Sequence, residues 1–135
     1  MVAMSPIMDL SASGDSTLAN ANRDPVLQRA GLLDVTRAYM KGADPRSPGA
    51  SPLFADLHGL PPLLLQVASG EILLDDSLRI ARVAALDDVA VSVEGWPGMV
   101  HQWQLFPTLV PDARRALKGS GAFIQAHTAH TGAAS

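Results

Sequence analysis

Residues 62–69, Pro-Leu-Leu-Leu-Gln-Val-Ala-Ser, run with hardly a polar break, whereas residues 72–86 space their apolar side chains at steps of three and four. The unbroken run predicts a strand buried on both faces, the kind that belongs to a parallel sheet with helices on either side. Ile72, Leu73, Ile80, Val83 and Ala84 predict a helix over 72–86. Its polar side carries Asp75 and Asp76 in the first turn and Arg79 and Arg82 later, the order that the helix dipole favours. Both aspartates read as a solvated first turn. Residues 89–96, Val-Ala-Val-Ser-Val-Glu-Gly-Trp, are rich in valine and predict a second strand. Strand, helix and strand over 62–96 have about the length of one βαβ unit.

The flanks are less regular. Residues 1–4 read as the tail of a strand, stopped by Ser5-Pro6. No regular element is expected between Asp9 and Asn22. Asp24 followed by Pro25 can open a helix. Val26, Leu27, Ala30, Leu32, Leu33, Val35 and Ala38 continue it, with Gly31 weakening the middle enough to suggest two short pieces. Residues 41–52 hold three prolines and two glycines and predict loop, and the irregular path continues to Pro62. Pro111 starts a last helix over 111–127. The expected organisation is one domain over 1–127 and a frayed tail over 128–135.

Composition narrows the function. The chain has 135 residues, enough for one domain with a core. A net charge of −3 gives no basic footprint for nucleic acid. No apolar run reaches the roughly 18 residues a membrane span needs. No Lys or Arg precedes Arg23, so a basic leader start is absent, and there is no cysteine for disulfides or thiolate metal sites. The default location is cytoplasmic.

Chemistry in open parallel sheets gathers just beyond the carboxyl ends of strands. The first strand runs into Ser69-Gly70-Glu71, the second into Pro97-Gly98-Met99-Val100-His101. Three of the chain's six aromatics, Trp96, Trp103 and Phe106, surround that histidine in sequence. A carboxylate facing an imidazole across adjacent strand ends is the orienting half of a nucleophilic triad. Glu71 is also well placed as a first-turn acid of the following helix, a role compatible with the first. His58 reads as an exposed or structural loop histidine.

Three stretches carry a family resemblance: "SPLFADLHGLPPLLLQVASGEILLDDSLRIARVAAL", "VSVEGWPGMVHQWQLF" and "DARRALKGSGAFI". Together with the opening "SPIMDLSASGDS" and the "DPVL…YMKGADPRSPGASPLF" path, they resemble the C-terminal part of hormone-sensitive-lipase-like (family IV) esterases of the α/β-hydrolase superfamily. The resemblance covers nearly all of residues 4–125. It implies a partial α/β-hydrolase fold, with C-terminal parallel strands and flanking helices. It implies His101 in "GMVHQW" as the catalytic histidine and Glu71 in "GEILLDD" as the catalytic acid, with Asp75 the weaker alternative. No cofactor or metal is implied. The substrate implied is a small acyl ester or lactone, and the last strand, residues 89–95, is the expected surface for a homo-oligomer. Two local departures are Gly70, where relatives often carry an acid, and "LDDVAVSV" in place of an Ala-Gly-Val turn.

The family's G-D-S-A-G nucleophile elbow and H-G-G-G oxyanion motif do not occur among these residues. "SGDST" at 13–17 lacks the closing glycine, so Ser16 does not meet the requirement. The expectation is therefore a hydrolase fragment that supplies the acid and histidine of a Ser-His-Asp/Glu triad, inactive by itself. An inactive remnant that only binds or self-associates is the alternative. A partial sheet leaves one edge unpaired, so self-association or marginal stability is expected.

Overall fold

A computed structural model describes residues 1–128 of the chain. Three strands, β1 (Val2–Met4), β2 (Leu63–Ala68) and β3 (Val91–Trp96), form one parallel sheet in the order β1-β2-β3. Val2 pairs with Leu64, Leu63 with Val91 and Ala68 with Trp96, so the carboxyl ends of β2 and β3 finish level. Parallel neighbours need a long crossover. Helix α3 (Leu74–Leu86) supplies it between β2 and β3, while α1 (Ser16–Ala19), α2 (Arg29–Met40) and the loop to Pro62 lie between β1 and β2. Helix α4 (Pro111–Thr128) closes the described chain.

The continuous apolar run has the predicted consequence: all six residues of β2 are buried. Alternation sends Leu63 and Leu65 to one face, where they meet Ile80, Ala81 and Ala84 of α3. Ala68 faces the other way, onto Trp103 and onto Ala113 and Ala116 of α4. Leu65 has no exposed surface, and truncating it to alanine should cost about 2–5 kcal/mol. β3 lies at the edge and is only half covered. At the amino end of the sheet, Met1, Met8, Leu57, Leu60, Leu63 and Ile80 line an open apolar cavity of about 330 Å³.

Several details differ from the sequence reading. A single turn of helix does form at Ser16–Ala19, inside the stretch expected to be irregular. Its entry passes so close to α3 that a Cβ on Gly14 would fall 2.9 Å from Cβ of Asp75, which only glycine avoids. The second helix starts at Arg29, not at Asp24, and runs unbroken through Gly31. Asp24 still caps the turn before it, accepting the amides of Val26 and Leu27 at 2.9 Å each. A short 3-10 turn, Pro52–Phe54, interrupts the loop. Asp76 is not solvated but 1% exposed. Of the expected tail, Thr128 belongs to α4, and 129–135 lie outside the described residues.

Candidate active site

β2 ends at Ala68, and the chain turns at once: the Glu71 amide donates to Ala68 O at 3.1 Å. Asn20 braces this turn through its Nδ2, which donates to Glu71 O at 2.8 Å, and Asp24 accepts the Ile72 amide at 2.9 Å. Glu71 is thereby held at the sheet edge with its side chain 1% exposed. One carboxylate oxygen, Oε1, accepts the Ala68 amide at 2.7 Å and the Ser5 hydroxyl at 2.6 Å. The other, Oε2, lies 2.8 Å from Nδ1 of His101.

His101 reaches that point by the predicted route. After β3, Pro97-Gly98 reverses the chain, with Gly98 at φ +74 where a side chain would be strained. The histidine ring is 14% exposed. Two residues on, Trp103 is 1% exposed and packs on Trp96 with ring centroids 5.7 Å apart. Phe106, in contrast, is half exposed. A carboxylate accepts but cannot donate, so the proton on the ring sits at Nδ1 and Nε2 keeps its lone pair for an incoming hydroxyl. The geometry is that of a base oriented by a buried acid.

Asp75 is occupied elsewhere. Its Oδ2 accepts the Ser16 amide at 2.8 Å, and its own amide donates to the Ser16 hydroxyl at 2.9 Å. That hydroxyl also donates to Ile72 O at 2.7 Å. Ser16 and Asp75 therefore lock α1 to α3 in a reciprocal capping pair. Their sequence spacing of 59 gave no sign of it.

A second buried carboxylate cluster anchors the loop after β1. Asp76 Oδ2 accepts the amides of Met8 at 2.7 Å and Asp9 at 3.0 Å. Burial, with Asp9 adjacent, pushes the Asp76 carboxyl up to about 6 against the pull of those amides. Asp9 is itself desolvated, but hydrogen bonds from the hydroxyls and amides of Ser11 and Ser13 outweigh that and hold it down at about 2. Arg79 adds an ion pair at 3.1 Å. His58 stands at the opposite end of β2, paired with Asp56 at 2.7 Å and close to Asp87 at 3.7 Å, all near the surface. Sequence reasoning passed over Ser5 and Asn20 and read the buried Asp76 as solvated. Ser5 read only as a strand stop, and the partners of all three lie far along the chain.

The profile of the alpha/beta hydrolase fold family matches residues 1–105. The chain belongs to that family. It is 40% identical over 127 residues to an acetyl-hydrolase of Streptomyces hygroscopicus, covering 94% of this chain and 42% of that protein. An esterase of Acinetobacter venetianus is 40% identical over 118 residues, or 87% of this chain and 39% of that one. Among solved structures, an esterase of the bacterial hormone-sensitive lipase family superposes with a TM-score of 0.92 at 38% identity, over 93% of this chain and 42% of the other. The match is to the C-terminal portion of the hydrolase fold, and the chain spans about two fifths of the length of these relatives. No helix among the described residues is long and apolar enough to cross a membrane.

Proposed function

We propose that these residues form the acid–histidine part of a carboxylic-ester hydrolase, with Glu71 and His101 as two members of a triad whose serine comes from a segment outside them. In the reaction, the serine Oγ attacks the acyl carbon of an ester or lactone while His101 Nε2 takes its proton. Glu71 Oε2 holds Nδ1–H and stabilises the imidazolium that forms. Collapse of the tetrahedral intermediate breaks the bond to the alcohol, which leaves with the proton from Nε2. Water then attacks the acyl-enzyme, again giving its proton to Nε2, and Nε2 returns that proton to the serine Oγ as the acid departs.

The observation that carries this reading is the 2.8 Å contact between a fully buried carboxylate and a histidine on neighbouring strand ends. Names of relatives, acetyl-hydrolase and esterase, support an ester substrate. Pairing of two copies along the outer edge of β3, residues 89–95, belongs to the same reading, since that edge is half exposed. The test is a graft. Residues 1–135 replace the matching segment of the Streptomyces hygroscopicus acetyl-hydrolase, whose upstream portion is kept. Hydrolysis of a chromogenic short-acyl ester that disappears with His101→Ala is expected. An unchanged rate in that variant would overturn the assignment.

A further inference from the structure

We infer that Ser5 is a positioning residue for the Glu71–His101 pair: one buried hydroxyl ties the acid's carboxylate to the loop that carries the histidine. The inference rests on the function proposed above and adds to it a residue from a third segment of the chain. Ser5 follows β1 directly. Its amide still belongs to the sheet, donating to Gln66 O at 2.7 Å. The backbone then turns left-handed at φ +45, a conformation that costs any residue with a Cβ. Glycine would be the easy occupant there. A serine stands there instead, 2% exposed.

Its hydroxyl has two partners. It donates to Glu71 Oε1 at 2.6 Å and accepts the Gln102 amide at 3.3 Å. Gln102, next to the histidine, is also left-handed, at φ +53. A hydroxyl is the smallest group that donates and accepts at one atom, and neither alanine nor glycine can replace it. The outcome for the acid is a division of labour. Ser5 and the Ala68 amide both bind Oε1, which leaves Oε2 to His101. The terminal torsion of a glutamate is soft, so with one of the two donors on Oε1 removed the carboxylate can rock. Ser5 does not touch the histidine ring. It acts through the Glu71 carboxylate and the Gln102 backbone.

The test is nuclear magnetic resonance on the full chain, labelled with nitrogen-15. The unmutated chain should show a downfield His101 Nδ1–H resonance protected from exchange with water, and a protected Gln102 amide. Ser5→Gly and Ser5→Ala both delete the hydroxyl, but glycine relieves the left-handed backbone and alanine keeps it. A role in local backbone stability separates the two variants. A positioning role makes them alike: Nδ1–H exchange rises by about tenfold in both, as loss of one ordinary hydrogen bond does to an opening equilibrium. Unchanged exchange in either folded variant overturns the proposal. So does free exchange of the Gln102 amide in the unmutated chain, which needs no variant to fold. Glu71→Gln separates this failure from failure of the pair itself. With two donors facing Oε1, the amide oxygen must sit there, and the NH2 group then meets Nδ1 and expels its proton. If Glu71→Gln removes the resonance and the Ser5 variants do not change it, only Ser5 is wrongly assigned. If Glu71→Gln leaves the resonance in place, the acid–histidine pair is wrong.

Discussion

Two histidine–carboxylate pairs stand at opposite ends of β2 with nearly equal contacts, 2.8 Å for His101–Glu71 and 2.7 Å for His58–Asp56. Their surroundings differ sharply. The side chains of the first pair are 14% and 1% exposed, those of the second 64% and 80%. Glu71 has every oxygen assigned to a fixed donor, whereas His58 sits among carboxylates that solvent reaches. Distance alone therefore does not fix what such a pair can do. Exclusion of water and immobilised partners set the tautomer and let the acid's charge act at low screening, as the proposed role of Glu71 and His101 requires.

The sharpest separation is expected in the grafted hydrolase. His101→Ala should lower kcat by about 10⁶, the scale seen when the triad histidine is removed. His58→Ala should leave it unchanged. Comparable losses in both would erase the distinction. Stability follows in second place. Glu71→Ala leaves the Ser5 hydroxyl and the Ala68 amide facing a buried void, and denaturant unfolding should report a loss of about 3–5 kcal/mol. Asp56→Ala, at an exposed pair, should leave the denaturation midpoint unchanged.

A third carboxylate shows burial acting without a counter-charge strong enough to offset it. Asp76 has its folded pKa raised to about 6 from 3.8, so the native state holds its proton more tightly than the unfolded chain does. Stability from this group is complete below 3.8 and is lost as pH rises through about 6, by about 3 kcal/mol in all. Asp76→Asn should flatten the unfolding free energy across that window. Asp9 runs the other way. Held at about 2, it contributes above 3.8, and the contribution disappears as pH falls through 2. The smallest effect is expected at His58. Its hydrogen bond to Asp56, with Asp87 nearby, raises its pKa, so any contribution exists below the ordinary histidine value and is lost as pH rises through the raised one. Solvent and salt screen an exposed pair, and His58→Ala should leave the melting temperature and its salt dependence unchanged.

Local patterning was legible and distant partnering was not. β2, α3, β3 and α4 follow from runs and periods read within a dozen residues, and the positions of Glu71 and His101 follow from where those strands stop. The start of α2 was misplaced because Asp24 does satisfy orphan amides, but those of a turn that precedes the helix. α1 was missed because a single turn has no periodicity of its own; Ser16 and Asp75 hold it from 59 residues apart. Asp76 read as a first-turn acid on the solvent side, and only the return of the Met8–Asp9 backbone across α3 buries it. Ser5 was hidden in the same way: a strand stop in sequence becomes a donor to Glu71 once β1 and β2 pair in parallel.

In the proposed triad Glu71, not Asp75, is the acid that orients His101. The direct measurement is kcat of the grafted hydrolase carrying Glu71→Gln beside the one carrying Asp75→Asn. The expected result is a fall of about 10⁴ for the first, from the wrong histidine tautomer, and a change of less than about tenfold for the second. A Glu71→Gln enzyme that keeps its rate, or an Asp75→Asn enzyme that loses as much, would contradict it.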